Sequence, residues 1–394
     1  MKKRSNSNVE NIAYKFRAYP SDDQKHIFAC SFGCKRFLYN TMLSDETYHY
    51  EQIGKPLHNE VSDYKEDYPF LCEVDSLILA NAKLALDNAF QRFFSGNGGY
   101  PVFKKKSSRQ SFTTNCSCKT HPNLKFDEKR SLVKLPKMKE WLSVKAHRHI
   151  KQGGILKSAT VSKEPNGEYY ISLLYEYPNT VNIVDTVDTV NTDNNTLKSD
   201  KSIGLDMSVG HFYVDSNGEF ADMPKFYRLT EALLAKEQAK LSHMTKGSKN
   251  YLRQKRKIAK LHAKIKRQRS DFLHKLSYYL VRTYDIICIE DLSVKGMSQS
   301  LNLGKSVHDL GWGMFVNMLE YKCKRYGKIL IKVDRFYPSS KTCCKCGNIK
   351  SIGLSERLYD CPVCGSFIDR DWNAAINIHG EGLRLYKEQS LLTV

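Results

Sequence analysis

No run in this sequence reaches the length of a membrane span, and the basic start MKKRSNSNVENIAYKF has no apolar stretch behind it that would make a secretory leader. There is no Gly-x-x-x-x-Gly-Lys-Ser/Thr loop, so ATP-driven work is unsupported, and no serine or cysteine nucleophile signature stands out. Acid is scarce: 42 Asp and Glu stand against 62 Lys and Arg, a net charge of +20. Self-repulsion on that scale is tolerated where the partner is a polyanion, whereas solubility alone is more often met with acidic residues. Twelve cysteines without a leader fit a reducing cytoplasm, not a disulfide framework. What remains is a cytoplasmic, membrane-free chain of 394 residues, enough for two or three domains with real cores.

The cysteines are present in a pattern. Cys343-x2-Cys346 and Cys361-x2-Cys364 are separated by 14 residues, and each pair is followed at once by a glycine, Gly347 or Gly365. Glycine lets the chain turn tightly under a metal, and closed four-thiolate sites of this spacing are structural zinc sites. Cys344 is an extra thiol and a candidate adventitious ligand. A second pattern, Cys116-x-Cys118-x2-His121, offers only three ligands at loose spacing. Seven residues after Cys364 comes Asp371, in Asp369-Arg370-Asp371, at an expected helix start. The adjacency suggests that the ribbon positions an active-site acid.

In chain order, Ile12, Tyr14, Phe16 and Ala18 alternate with Lys15 and Arg17, a half-buried strand with a basic outer face that stops at Pro20. Ser21 and Gln24 fit a capping box for a helix whose expected stripe is Ile27, Ser31, Cys34, Leu38 and Thr41. Ligand contact and simple packing account equally well for Arg36, Tyr39 and Asn40. Residues 51–70 show no period, and a second helix is expected from Leu77 to Phe94. Tyr100, Phe103, Lys104, Lys105 and Lys106 then interleave aromatics with a basic cluster, which suits stacking of bases beside neutralised phosphates. Residues 130–178 predict strands, including a hairpin turned at Pro165-Asn166-Gly167. The stretch 181–200 has no core pattern and predicts a linker.

The second half opens with a strand ending in Asp206 and a hairpin turned at Ser216-Asn217-Gly218. Residues 231–282 are expected to be helical and broken at Gly247, with one apolar stripe and a long basic face that includes Arg253, Lys257 and Arg267. A buried strand from Tyr284 ends in Glu290, a helix covers Leu310–Tyr326, and Ile329 to Val333 form another strand. The helix opened by Asp371 is expected to run through Ile378, with Glu381–Val394 a frayed tail. Asp206, Glu290 and Asp371 therefore fall where elements begin or end, positions from which side chains can face one cleft. Three converging carboxylates call for divalent cations, and hard oxygen ligands suit Mg²⁺ or Mn²⁺. Two such ions can activate water and stabilise the leaving oxygen of a phosphodiester.

At Gly204-Leu205-Asp206, Ile289-Glu290-Asp291-Leu292 and Asp369-Arg370-Asp371-Trp372-Asn373-Ala374-Ala375-Ile376-Asn377-Ile378 the sequence resembles the TnpB family, transposon-encoded RNA-guided nucleases related to type V CRISPR effectors. Ser339 to Cys343, Tyr14 to Pro20, Gly33 to Asn40 and Tyr100 to Lys104 also look like that family's pattern, so the resemblance spans almost the whole chain. It implies a mixed α/β multidomain fold: an RNase H-like RuvC nuclease core over 201–394 with a zinc ribbon inserted at 336–368, preceded by a wedge β-barrel. The wedge would comprise 1–20 and 100–180, with a helical recognition segment over 21–99 inserted into it. By motif match the catalytic metal ligands are Asp206, Glu290 and Asp371, with Asp369 left out of the set. The resemblance further implies a guide RNA from the transposon end, double-stranded DNA cut beside a short transposon-adjacent motif, and a monomer bound to its RNA. Retention of the mobile element would follow from the cutting. Two alternatives stay open: a nuclease-inactive RNA-guided repressor, disfavoured because all three acids are kept, and a transposase acting directly in strand transfer.

Overall fold

The computed structural model describes residues 9–57, 59–117, 122–178, 201–208, 210–292, 311–353 and 356–391. The expected 181–200 linker, and Cys118 and His121 of the loose Cys/His pattern, lie outside these residues. The chain divides into two compact units, Met1–Ile183 and Val184–Val394.

In the first unit, strand β1 (Val9–Tyr19) buries Tyr14, Phe16 and Ala18 and leaves Lys15 outward, as its alternation requires. The later strands are β2 (Gln110–Asn115), β3 (Lys125–Asp127), β4 (Leu132–Lys134), β5 (Leu142–Lys145), β6 (Ile155–Lys163) and β7 (Tyr169–Pro178). They join β1 in one sheet of order β2-β6-β7-β1-β5-β4-β3. Strand β1 pairs antiparallel with β7 from Val9↔Pro178 to Ala18↔Tyr169, and Gly167, at φ +88°, turns β6 into β7.

Helix α1 (Asp22–Ile53) begins with the expected reciprocal cap: Gln24 N donates to Ser21 Oγ at 3.3 Å and Ser21 N to Gln24 Oε1 at 3.1 Å. Ser31, Cys34 and Leu38 of the expected stripe are buried, but the buried face is wider than that stripe. Phe28 and Phe32 enter the sheet core, while Leu38, Tyr39, Met42 and Leu43 pack with Leu71, Leu79 and Leu86 in a second core. Ile27 and Thr41 are only half-buried. A helix that packs first on a sheet and then on helices turns its apolar stripe part-way along, and a single 3.6-residue period misses the change. In the stretch without a period lies a short helix, α2 (Val61–Asp67), too brief to display one; α3 (Ser76–Phe94) follows, capped by Asp75.

The second unit holds β8 (Ser202–Asp206), β9 (Tyr213–Asp215) and β10 (Phe220–Ala221), then helices α4 (Phe226–Ser242) and α5 (Lys249–Thr283), separated around Gly247 at φ +85°. Next come β11 (Ile286–Glu290), α6 (Trp312–Tyr326), β12 (Ile329–Val333), the hairpin β13 (Leu358–Asp360) and β14 (Phe367–Asp369), and helix α7 (Arg370–Leu391). The main sheet runs β10-β9-β8-β11-β12, with β8, β9 and β10 antiparallel and β11 and β12 parallel to β8. Ile203, Leu205, Ile287 and Ile289 pack on one face with Leu273 and Leu280 of α5 and Phe315 and Leu319 of α6. Cys288, Ile331 and Val333 pack on the other with Ile378 of α7.

Helix α7 continues to Leu391, so the residues from Glu381 are helix and not a frayed tail. A β-carbon at Gly382 would lie 2.3 Å from Cys288 Sγ. It is a place where helix and sheet touch. Arg384 joins Glu381 at 2.7 Å and also pairs with Glu388, tying the exposed turns beyond it.

Candidate active site and metal centre

Strands β8 and β11 pair in parallel with Ile289 opposite Leu205, so the next step of the ladder sets Glu290 opposite Asp206. Neighbouring residues in register point to the same side, and both carboxylates lie on the face covered by α7. The strand order also reverses here: the chain leaves β8 toward β9 on one side and resumes at β11 on the other. The carboxyl ends at such a reversal form the usual ligand crevice of open sheets.

Helix α7 brings in the third acid. A β-carbon on Gly204 would lie 2.5 Å from the Ala375 carbonyl oxygen and 2.6 Å from His379 Cβ, and Ser202 Oγ is 2.8 Å from His379 Nε2. Advancing along α7 from Ala375 to His379 therefore retreats along β8. Four residues of helix span about 6 Å and two of strand about 6.6 Å. Asp371, four before Ala375, thus comes to Asp206, two after Gly204. Asp369 does a different job: its Oδ1 accepts from Asp371 N at 2.9 Å and Trp372 N at 3.0 Å, capping the helix.

The electrostatics follow the geometry. Burial, then the Asp371 and Glu290 carboxylates, raise Asp206 well above the usual carboxylate range, with Arg370 opposing. Burial, then Asp291, pushes Glu290 up to about 7. Arg370 lies 3.5 Å from Asp371 and donates to the Gly353 carbonyl at 3.2 Å. Asp206 thus senses both of the others.

Among the described residues, only Cys343, Cys346, Cys361 and Cys364 form a group of possible metal ligands whose donor atoms all lie within 4.8 Å of one another. Sulfurs of Cys343 and Cys364 are 3.6 Å apart, and those of Cys346 and Cys361 are 3.5 Å apart. Corners of a tetrahedron with Zn–S of 2.3 Å are about 3.8 Å apart, so the four thiols fit zinc. The two knuckles match: Gly347 N donates to Cys343 O and Gly365 N to Cys361 O, both glycines at positive φ. Cys344 stands outside the cluster; its amide donates to Asn373 Oδ1 at 2.9 Å.

That last bond belongs to an anchor the motif reading did not single out. Asn373 Nδ2 donates to Thr342 O at 2.7 Å, and Asn377 Nδ2 lies 2.7 Å from both Ser339 O and Thr342 O. Both asparagines are buried, at 0% and 8% exposure. Two buried amides four residues apart on an otherwise apolar helix face were the available signal. They fasten the first zinc knuckle to the helix that carries Asp371.

The expected nucleic-acid contacts are mixed. Tyr100 and Phe103 are exposed, as are Lys104, Lys105 and Lys106; Arg36 is half-buried. Tyr39 is buried, which corrects its reading as an exposed contact: it belongs to the second core of unit one. Asn40 is occupied by main chain, donating to Lys104 O at 3.0 Å and accepting from Lys104 N at 2.7 Å. On α5, Arg253 donates to Asn250 Oδ1, Lys257 pairs with Glu237 at 2.9 Å, and Arg267 is exposed.

Comparison with known proteins bears on this geometry. Residues 175–301 match a family profile described as "Probable transposase" (OrfB_IS605), and residues 312–378 one described as "Cas12f1-like, TNB domain". Over 384 residues the chain is 35% identical to a protein of Streptomyces pristinaespiralis named "Putative RNA-guided DNA endonuclease", covering 94% of this chain and 89% of that one. The chain belongs to the TnpB family. A TnpB-like protein of Acanthamoeba polyphaga mimivirus, L79, is 35% identical over 154 residues, 37% of this chain and 29% of that protein. Another profile, described as "Helix-turn-helix domain", matches residues 10–55 of this TnpB-family chain, where the structure has β1 and the unbroken helix α1. The fold resembles that of Cas12f1 solved by cryo-EM with sgRNA and target DNA, at a TM-score of 0.56 and 14% identity, covering 94% of this chain and 99% of that one. No helix among the described residues is long and apolar enough to cross a membrane.

Proposed function

We propose that this protein is an RNA-guided DNA endonuclease whose RuvC-type centre is Asp206, Glu290 and Asp371. The observation that carries the reading is the register of β8 with β11 beneath α7, which draws acids from three distant parts of the chain around Asp206. The strand order of the second unit supports an RNase H-like core, and the fit of four thiols to a tetrahedron supports structural zinc. Unit one, with its seven-stranded sheet and the α1–α3 helices, is read as the wedge and recognition parts.

The donor chemistry suits two Mg²⁺ or Mn²⁺ ions. Carboxylate oxygens are hard ligands of the kind these ions take. When bound, the ions supply an activated water and stabilise the leaving oxygen of the phosphodiester. Asp206, Glu290 and Asp371 would hold the ions. Arg370 offsets part of the carboxylate repulsion, and Asp369 fixes the helix start from which Asp371 projects. Sequence is read by a guide RNA from the transposon end, pairing with target DNA beside a short adjacent motif, while the protein, as one copy per RNA, reads duplex shape. Cutting there favours retention of the mobile element.

The test begins with purification of the full chain and sequencing of RNA that accompanies it. One main structured RNA species is expected, and with Mg²⁺ the complex should cut duplex DNA matching that RNA. Asp206→Ala should stop cutting while DNA binding persists. Binding without cutting by the unaltered complex would favour the repressor, joined DNA products the transposase, and full-rate cutting by Asp206→Ala would put the centre elsewhere.

A further inference from the structure

Outside the acidic centre, unit one holds a group of cations without anions. The Lys35 ammonium, half-buried on α1, donates to the Ser111 carbonyl at 3.0 Å. One turn later on the same helix face is Tyr39, and the Lys104 ammonium lies over its ring, 4.7 Å from the centroid. The hydroxyl of that ring is buried and has no hydrogen-bond partner. Lys104 is held in place by the two-way Asn40 clamp on its main chain. The loop beyond it closes on itself: Lys105 N donates to Ser108 Oγ, Ser108 N to Lys105 O, and Gln110 Nε2 to Lys106 O and Ser108 O. That closure returns the chain to Arg109, two residues before the carbonyl that Lys35 holds. Burial, then the Arg109 and Lys104 charges, depress the Lys35 ammonium, so the three cations sense one another. None of the three forms an ion pair with an acidic side chain among the described residues.

A solvated basic loop spreads its charges apart. This one is pinned by six hydrogen bonds from Asn40, Lys105, Ser108 and Gln110, which fix the main chain from which Lys104 and Arg109 project. Pre-organised cations of one sign, with a buried hydroxyl beneath them and exposed Phe103 alongside, suit an anion that arrives with a ring system attached. We propose that Lys35, Lys104 and Arg109 form a phosphodiester-binding site that clamps one backbone phosphate of a nucleic acid strand. The proposal deepens the nucleic-acid reading above, but it does not need the guided cleavage to be correct.

The test uses the full chain stripped of RNA, with two probes: a short fluorescent DNA duplex of mixed sequence and a single-stranded RNA of the same length. Affinity is measured over a range of KCl. One neutralised phosphate contributes about 0.9 to the slope of log K against log salt on duplex and about 0.7 on a single strand. Lys35→Gln and Arg109→Gln should each lower the slope by part of that amount and weaken binding several-fold, while Lys35→Arg keeps both. Arg109 is exposed, so its variant reports even if Lys35→Gln fails to fold. A change in the duplex arm alone assigns the site to DNA, and a change in the RNA arm alone assigns it to RNA. Lys129→Gln, an exposed lysine elsewhere in the unit, should leave slopes and affinities unchanged. Wild-type slopes for both site variants, or an equal drop for Lys129→Gln, would overturn the site. Failure of the purified complex to cut DNA would instead overturn the nuclease reading.

Discussion

Gly204 and Ala375 meet backbone to backbone: a β-carbon on the glycine would sit 2.5 Å from the alanine carbonyl oxygen. A carbonyl in a helix cannot swing aside as a side-chain tip can. Gly204→Ala should therefore cost at least the upper end of the about 1–3 kcal/mol typical of overpacking. Denaturant unfolding followed by a probe in the second unit measures this. A variant as stable as the parent would mean that α7 does not rest on β8.

Relief of charge should be visible at Asp206. Its carboxylate is disfavoured by burial and by two neighbouring carboxylates, so Asp206→Asn should raise the melting temperature in chelator while removing cleavage. A gain of about 1 kcal/mol corresponds to about 2–4 °C in a unit of this size. Added Mg²⁺ should stabilise the parent and leave the variant nearly unmoved. A variant that melts lower than the parent in chelator would contradict the crowding.

The asparagine anchor separates zinc binding from catalysis. Asn373→Ala leaves the Cys344 amide without its partner, at about 1–3 kcal/mol, and leaves the Thr342 carbonyl to Asn377 alone. The four thiols are untouched, so zinc content should stay at one per chain as cleavage falls. Cys361→Ser should lose zinc and cleavage together. Metal analysis alongside the cleavage assay distinguishes the two, and a zinc-free but fully active Cys361→Ser protein would refute a structural role for the ribbon.

Lys322, at the contact of α5 and α6, donates to the His274 carbonyl and to Ser277 Oγ, both at 2.7 Å. Burial pushes its ammonium down to about 8, against an ordinary value of 10.5. Between those values the unfolded chain holds more protons than the folded one, so stability rises with pH across that window, and the full cost of burying the charge is present below it. Lys322→Met should raise the melting temperature at pH 7 and flatten the dependence between about pH 8 and 10.5. A parent curve that is flat there would rule out a buried, depressed lysine.

Much of the local structure was legible because it depends on near neighbours. The Ser21–Gln24 cap, the hairpins at Gly167 and Gly218, the break at Gly247 and the paired zinc knuckles each need only a few consecutive residues to be specified. The stripe on α1 was legible only in part, at Ser31, Cys34 and Leu38, and the length of α7 was not, because each depends on what the helix lies against. Gly382 marks the crossing of α7 over Cys288, a contact between residues far apart in the chain. Tyr39 and Asn40 likewise looked available for ligand until the second core and the Lys104 main chain took them.

The sequence by itself determined which residues carry charge, thiol and carboxylate, and which short stretches turn, cap or alternate, since those properties are chemical or local. Only the tertiary structure decided that Asp206 and Glu290 share the sheet face under the helix of Asp371, that two asparagines tie the cysteine ribbon to that helix, and that Lys35 reaches the Ser111 carbonyl. Those relations rest on strand register and on how closely a helix can approach a sheet. Both are settled by packing between residues scores of positions apart, which no local pattern records.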